Sequence, residues 1–390
     1  MKRDAVIVSA VRTAIGKQGG TLASIPAHVF GATVLKEALK RVNIDPNLVD
    51  DVILGNVLGG GGNIARLTAL EAELGIQLPG MTIDRQCGSG LNAINIAAQA
   101  IWANDGDIFL AGGTESMSRA PYLMSRPTTK RHSELPYFLN HQLSTKEIGD
   151  PPMGITAENL AEKYSISREE QDEFSLNSQM KATRAIEEGK FSEQIVTVNV
   201  PNSKGKVIDF KEDEHPRPKT TLDILTKLKP AFLEGGTVTA GSSSGLNDAA
   251  SAVLVMSRTK AEELGIKPLA VIKAHAVSGV DPNVMGIGPV SATKKVLKKA
   301  GLLLEQIDLI EFNEAFAAQV LACNKELKMD MEKVNIYGGA IALGHPLGAT
   351  GAILVTKAMY ALKQTGGKYA LITACIGGGQ GIATIIERVE

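Results

Sequence analysis

Apolar residues along this chain recur in two forms. One is a short, nearly unbroken run: Val6-Ile7-Val8 near the start, then Ile108-Phe109-Leu110-Ala111 and Ala370-Leu371-Ile372. A strand with one face in water alternates apolar and polar positions, whereas a strand covered by helices on both faces reads as a continuous run. These runs therefore predict a buried sheet, with residues 1–11 supplying its first strand. The other form is longer, opens on a glycine and carries apolar residues at helical spacing, which predicts helices over 90–102 and 351–362.

The elements repeat in order. Val34-Leu35-Lys36-Glu37-Ala38-Leu39 is echoed by Val296-Leu297-Lys298-Lys299-Ala300, and Leu48-Val49-Asp50-Asp51-Val52-Ile53 by Ile307-Asp308-Leu309-Ile310. The strand over 107–113 is echoed by a closing strand over 368–374. Partners stay about 260 residues apart, the mark of two copies of one unit. Each copy reads strand, helix, strand, glycine turn, helix, strand, so the expected fold is α/β with duplicated halves.

Residues 118–237 break the pattern. They are rich in proline and charge, with Pro151-Pro152 and Pro216-Arg217-Pro218. One helix is predicted there, starting at Ser167, whose pairing with Glu170 makes a capping box. The chain thus divides into an N-terminal half (1–117), an inserted loop domain (118–237), the completion of the first half (238–267) and a C-terminal half (268–390). An insert on a rigid scaffold is either a place for substrate recognition or a solubilising excursion.

Composition narrows the class. With 44% hydrophobic and 21% charged residues the chain is an ordinary globular protein. A net charge of -1 leaves no basic excess to neutralise phosphates, which argues against nucleic acid or an anionic membrane as partner. The apolar runs are too short for a membrane span. Three cysteines far apart make no disulfide framework, and Glu387-Arg388-Val389-Glu390 is no peroxisomal address, so a reducing, cytoplasmic setting is expected.

Two of the three cysteines lie in glycine-rich turns: Cys87 in Gln86-Cys87-Gly88-Ser89-Gly90 and Cys375 in Cys375-Ile376-Gly377-Gly378-Gly379. A thiolate needs access and a positive local field, and a strand-to-helix turn with unpaired N–H groups supplies both. The plainer alternative is a buried, inert cysteine, the reading given to Cys323 in its glycine-free helical run. Cys375 is expected to follow the final strand, at a loop whose N–H groups form an anion nest. His345, with four glycines near it in 338–348, is either a base for a cysteine or a structural histidine. Asn313, in Asn313-Glu314-Ala315-Phe316, either caps a helix or holds a water against a carbonyl. Thr239 to Asp248 form a small-residue loop against which an extended ligand could lie.

Together and in order, these motifs resemble the thiolase family almost end to end. Matching segments include Val8-Ser9-Ala10-Val11-Arg12-Thr13, Gly112-Gly113-Thr114-Glu115-Ser116-Met117-Ser118, Gly344-His345-Pro346 and the two cysteine motifs. The resemblance implies two mixed sheets among helices, five layers deep (α-β-α-β-α). It also implies carbon–carbon bond formation or cleavage on acetyl-CoA and 3-ketoacyl-CoA, with coenzyme A thioesters as substrates and no metal or redox cofactor. Cys87 would be the acyl-accepting nucleophile, His345 its activator and Cys375 the acid and base at C2 of acetyl-CoA. One oxyanion hole would be His345 with a water held by Asn313, and a second the N–H groups of Cys87 and Gly377. Coenzyme A would touch Ser244, Arg217, Met153, Phe232 and Phe316, with Met285 facing the acyl end. A homodimer or homotetramer is implied as well.

The chain departs from the family pattern where Pro152 replaces a histidine before Met153-Gly154. It departs again at Gly59-Gly60-Gly61-Gly62-Asn63 and over 124–149. Three rival readings compete with the thiolase one. A ketoacyl-synthase-like condensing enzyme would not need Cys375. A non-catalytic acyl-CoA or lipid carrier would not need Cys87, His345 and Cys375 together. A zinc site would favour close ligand pairs that are absent here.

Overall fold

The first apolar run forms β1 (Ala5–Thr13), buried at every position. It lies near the middle of an eleven-stranded sheet. The computed structural model describes residues 3–59, 61–126, 135–201 and 206–389. Met1 and Lys2 of the expected first strand, Gly60 of the glycine loop, 127–134 of the divergent stretch and Glu390 lie outside the described residues.

The remaining long strands are β2 (Asp51–Gly55), β3 (Gly80–Ile83), β4 (Ile108–Ser116), β5 (Asn247–Ser257), β6 (Ala270–Gly279), β7 (Leu309–Phe312), β8 (Tyr369–Ile376) and β9 (Gln380–Arg388). They are ordered β7-β8-β9-β6-β1-β5-β4-β2-β3. The expected two sheets are thus joined, through a two-residue antiparallel contact of Val6 with Val271 and Ile7 with Ala270. Side chains alternate between the two faces along β1, and a register shift between Ile7 and Ser9 offsets that alternation by one residue. Val6, Val8 and Val11 point into one core, and Ala5, Ile7 and Ala10 into another.

Helices α1 (Ala27–Lys40) and α2 (Ile64–Glu71) cover the outer face of the first half. Helix α3 (Ser89–Ala103) is buried between the halves. The insert supplies α4 (Met153–Lys163), α5 (Arg168–Glu187) and α6 (Leu222–Thr226). Helices α7 (Gly288–Ala300) and α8 (Ala317–Leu327) cover the outer face of the second half, and α9 (Leu347–Thr365) joins α3 in the central layer. The layers run α-β-α-β-α, and α3 and α9 are the two helical runs paired in the sequence.

Two expectations need correction. The insert holds three helices among its described residues, not one. Ser167 and Glu170 do cap α5 reciprocally, at 3.1 and 2.7 Å. Helix α4 lacks a side-chain cap, and its apolar face is buried on other segments through Ala157, Leu160 and Ala161, a tertiary cause with little local signal. Cys375 lies inside β8 rather than after the last strand. β9 follows through a hairpin whose Gly378 and Gly379 both adopt φ +81°, a conformation glycine takes without strain.

Candidate active site

The central layer creates the site by bringing two helix N-termini together. Glycine makes this approach possible. A Cβ at Gly55, Gly90 or Gly113 would stand 2.6, 2.7 or 2.0 Å from the carbonyl oxygen of Gly348, in the first turn of α9. One at Gly88 would stand 2.6 Å from Ile376, the neighbour of Cys375. These contacts seat the His345 turn of one half, and the Cys375 strand end, against the Cys87 turn of the other.

Cys87 lies between β3 and α3, half-buried. The strained residue of its turn is Gln86, with φ 44° and its N–H bonded to Asp84 Oδ1 at 2.7 Å. A non-glycine residue in this region is uncommon and marks a position held by its surroundings. The N–H groups of the turn do not leave Cys87 ionised at rest. Burial pushes the Cys87 thiol up to about 11, only partly opposed by the N–H groups of Gly377 and of Cys87 itself. Removal from water outweighs the dipoles, so the group rests as a thiol.

Cys375 is fully buried, in one apolar cluster with Met285, Phe316 and, at its edge, Met153. Its thiol is held well above the usual range, first by burial and then by the charge of Cys87. The charge that Cys87 carries when ionised therefore reaches Cys375. Cys323 is inert core: it is buried in α8, and its sulfur donates to the Gly286 carbonyl at 3.2 Å.

His345 is buried and its pKa is pushed down to about 4 by burial, so it is neutral near pH 7. Thr350 Oγ1 donates to the Pro346 carbonyl at 2.9 Å, which leaves it to accept from His345 Nδ1–H at 2.7 Å. Nε2 is then the free acceptor, 3.4 Å from Asn313 Nδ2. Asn313 does not cap a helix, because α8 begins only at Ala317 after Phe316. It is held instead at the end of β7 by its N–H to the Thr373 carbonyl at 2.9 Å. Its side-chain oxygen is buried with no protein partner, as a water-holding amide would be.

A cavity of about 610 Å³ opens beside this centre, lined by Arg217, Phe232 and Ser244, and also by Lys17, His215 and Leu246. Met153, Phe316 and Met285 do not line it; they belong to the Cys375 cluster. Phe232 and Phe316 meet edge to face at 5.9 Å, linking cavity wall to cluster. The serine loop is zipped onto the Asn313 segment by Ser244 N–H to the Ala315 carbonyl and Ala317 N–H to the Ser242 carbonyl.

Sequence reasoning missed three residues. Thr350 orients His345. Glu115 is a buried carboxylate amid backbone N–H groups near Cys87. Glu314 is a buried carboxylate taking bonds from Ser178, Asn335 and the Ile341 N–H, which ties α5 to the second half. Two of them stand in quoted motifs, and an acid in an apolar, glycine-rich context was the available signal.

Comparison with known proteins covers the same ground. The description "Thiolase, N-terminal domain" matches residues 5–259 and "Thiolase, C-terminal domain" residues 266–388. The chain is 50% identical to an acetyl-CoA acetyltransferase of Pseudomonas aeruginosa, over 99% of this chain and all of that one. It is 49% identical to one of Escherichia coli, over the full length of both. Its fold superposes on the crystal structure of the Bacillus anthracis acetyl-CoA acetyltransferase with a TM-score of 0.94 at 43% identity, covering 100% and 99% of the two chains. The human mitochondrial 3-ketoacyl-CoA thiolase gives 0.92 at 42% identity, covering 99% of each.

Proposed function

The chain belongs to the thiolase family, and from that membership we propose that it joins two acetyl-CoA molecules into acetoacetyl-CoA, or cleaves short 3-ketoacyl-CoAs, by ping-pong chemistry through an acyl-cysteine. The observation that carries the reading is the packing of the Cys375 strand end onto the Cys87 turn, where a Cβ on Gly88 would stand 2.6 Å from Ile376, with the Gly377 N–H opposing the rise of the Cys87 thiol.

In this reading Nε2 of His345 takes the Cys87 proton as the sulfur attacks the thioester carbon. The thiolate and imidazolium so formed attract each other, offsetting the burial that holds each group neutral beforehand. The leaving coenzyme A thiolate takes the proton back, and Cys87 keeps the acetyl group. Cys375 then gives its thiol proton to Nε2 of His345 and, as the thiolate, removes a proton from C2 of a second acetyl-CoA. Its raised pKa makes the thiolate a strong base toward a weak carbon acid. The enolate oxygen would be met by His345 and a water on Asn313. C2 then attacks the acetyl carbon, and the oxyanion would be met by the N–H groups of Cys87 and Gly377; its collapse breaks the bond to Cys87, whose leaving thiolate takes the proton back from Nε2 of His345. Each such donor contributes about 3 kcal/mol to lowering the barrier.

Coenzyme A would enter along the 610 Å³ cavity, its phosphates near Lys17 and Arg217 and its pantetheine arm passing Phe232 toward Met153, Phe316 and Met285. We assign it as substrate, with no metal or redox group required. A homodimer or homotetramer fits the exposed apolar Tyr122, Tyr137 and Phe138 around a two-stranded hairpin. The three free cysteines fit a cytoplasmic setting; no helix among the described residues is long and apolar enough to cross a membrane.

Neither a ketoacyl synthase nor a silent carrier explains a second buried cysteine whose strand end packs on the Cys87 turn. The test is a substrate trial. Acetyl-CoA alone should support condensation, and acetoacetyl-CoA should be cleaved by coenzyme A. Condensation with malonyl-CoA but not acetyl-CoA would contradict the reading. A series of 3-ketoacyl-CoAs of rising length then defines the acyl preference.

A further inference from the structure

We propose that Glu115 is a positioning residue of this centre, its carboxylate locking the His345 turn of the second half onto the Cys87 half. The inference rests on the function proposed above.

Glu115 stands near the end of β4 and is fully buried. Among the described residues no cation forms an ion pair with it. Donors from one loop and one helix N-terminus serve instead. Oε2 accepts from Val57 N–H at 3.0 Å and Gly348 N–H at 2.8 Å. Oε1 accepts from Leu58 N–H and Asn56 Nδ2, both at 3.1 Å. Residues 56–58 follow β2 in the first half, while Gly348 belongs to the first turn of α9, three residues after His345. An N–H at that point of a helix has no partner within the helix, and an anion there is favoured by the helix dipole.

One carboxylate thus bonds both halves at the point where the catalytic groups meet. The glycine floor under Gly348 sets how close α9 may come; Glu115 is what pulls it there. Protonation would put a hydrogen among four donors and loosen the clamp.

The ionisable groups whose charges act on Glu115 are Asp84, in the loop after β3, and Cys87, before α3. Burial and Asp84 push its carboxyl up to about 7, against the pull of the three backbone N–H groups. The carboxylate in turn helps hold the Cys87 thiol neutral.

The experiment measures kcat and KM for acetoacetyl-CoA thiolysis across pH in wild type, Glu115→Gln, Glu115→Asp and Asp84→Asn. Wild-type kcat should fall on the acid side with a midpoint near 7. Glu115→Gln should lose kcat by about 10²-fold, the cost of a misplaced catalytic group, with KM little changed and that acid limb gone. Glu115→Asp should keep the limb. Asp84→Asn, an exposed change whose amide oxygen still accepts from Gln86, should fold normally and move the limb to lower pH, so a poorly folding Glu115→Gln does not remove the test. An unaltered limb in Glu115→Gln or an unmoved limb in Asp84→Asn would overturn the inference. Failure of wild type to acetylate Cys87 would instead strike at the proposed function.

Discussion

Thr350 Oγ1 lies 2.7 Å from His345 Nδ1 and gives its own proton to the Pro346 carbonyl at 2.9 Å. This relay, at the N-terminal end of α9, decides which imidazole nitrogen is left unprotonated. Nδ1 carries the hydrogen, and Nε2 faces Asn313. A histidine without that partner could adopt either tautomer, and only one can take a proton at Nε2.

Replacing Thr350 with valine keeps the shape and removes the acceptor. Thr350→Val should lower kcat by about 10²-fold, within what a general base contributes, with KM nearly unchanged. Thr350→Ser should stay near wild type. Steady-state thiolysis of acetoacetyl-CoA distinguishes them; a fully active valine variant would remove Thr350 from the account.

The glycine floor makes a steric prediction. The Cβ of Gly113→Ala would fall 2.0 Å from the backbone oxygen of Gly348, which cannot swing aside as a flexible side chain could. The variant should lose about 1–3 kcal/mol of stability from overpacking. It should lose activity as well, because the displaced turn carries His345. Denaturant unfolding and thiolysis rates check both.

Lys357 and Glu311 form a buried ion pair at 2.8 Å under the same layer, with Lys357 also bonded to the Gly338 carbonyl at 2.7 Å. Lys357→Met would leave a buried carboxylate without its cation, costing about 3–5 kcal/mol. Replacing Glu311 with leucine in the same protein should recover much of the loss. Chemical denaturation of the single and double variants measures the difference.

His345 also leaves a signature in the stability. Its pKa is 6.5 when unfolded and about 4 when folded. Between those values the unfolded chain binds more protons, so this residue makes stability rise with pH and fall as pH drops from 6.5 toward 4. The effect is about 1.4 kcal/mol per pH unit inside the window. Glu115 acts oppositely: its pKa is raised from 4.5 to about 7, so its share of stability declines as pH rises through that range. Between pH 6.5 and 5, His345→Asn should lose less melting temperature than wild type, and Glu115→Gln more.

The duplicated halves are legible in the chain because each copy spends its apolar residues the same way, in runs that only a covered sheet can use. Cys87, Cys375 and His345 are legible because scarce reactive side chains stand beside glycines, and glycine is where backbones approach. The partners of Glu115 are not legible: Val57 and Gly348 offer only backbone N–H groups, which any residue has, and only folding brings them together. The resting state of Cys87 is not legible for a related reason. A glycine turn before a helix announces the N–H groups, while the burial that outweighs them comes from the opposite half. The join of β1 to β6 rests on two residue pairs and carries no local signal of its own.

The central claim is that Cys87 accepts the acyl group while Cys375 handles the proton at C2. Intact-protein mass after incubation with acetyl-CoA tests this most directly. Wild type and Cys375→Ala should each carry one added acetyl group, Cys87→Ser none, and only wild type should go on to acetoacetyl-CoA. A wild-type protein that stays unmodified while still forming product, or a Cys87→Ser protein that is acetylated as readily as wild type, would contradict it.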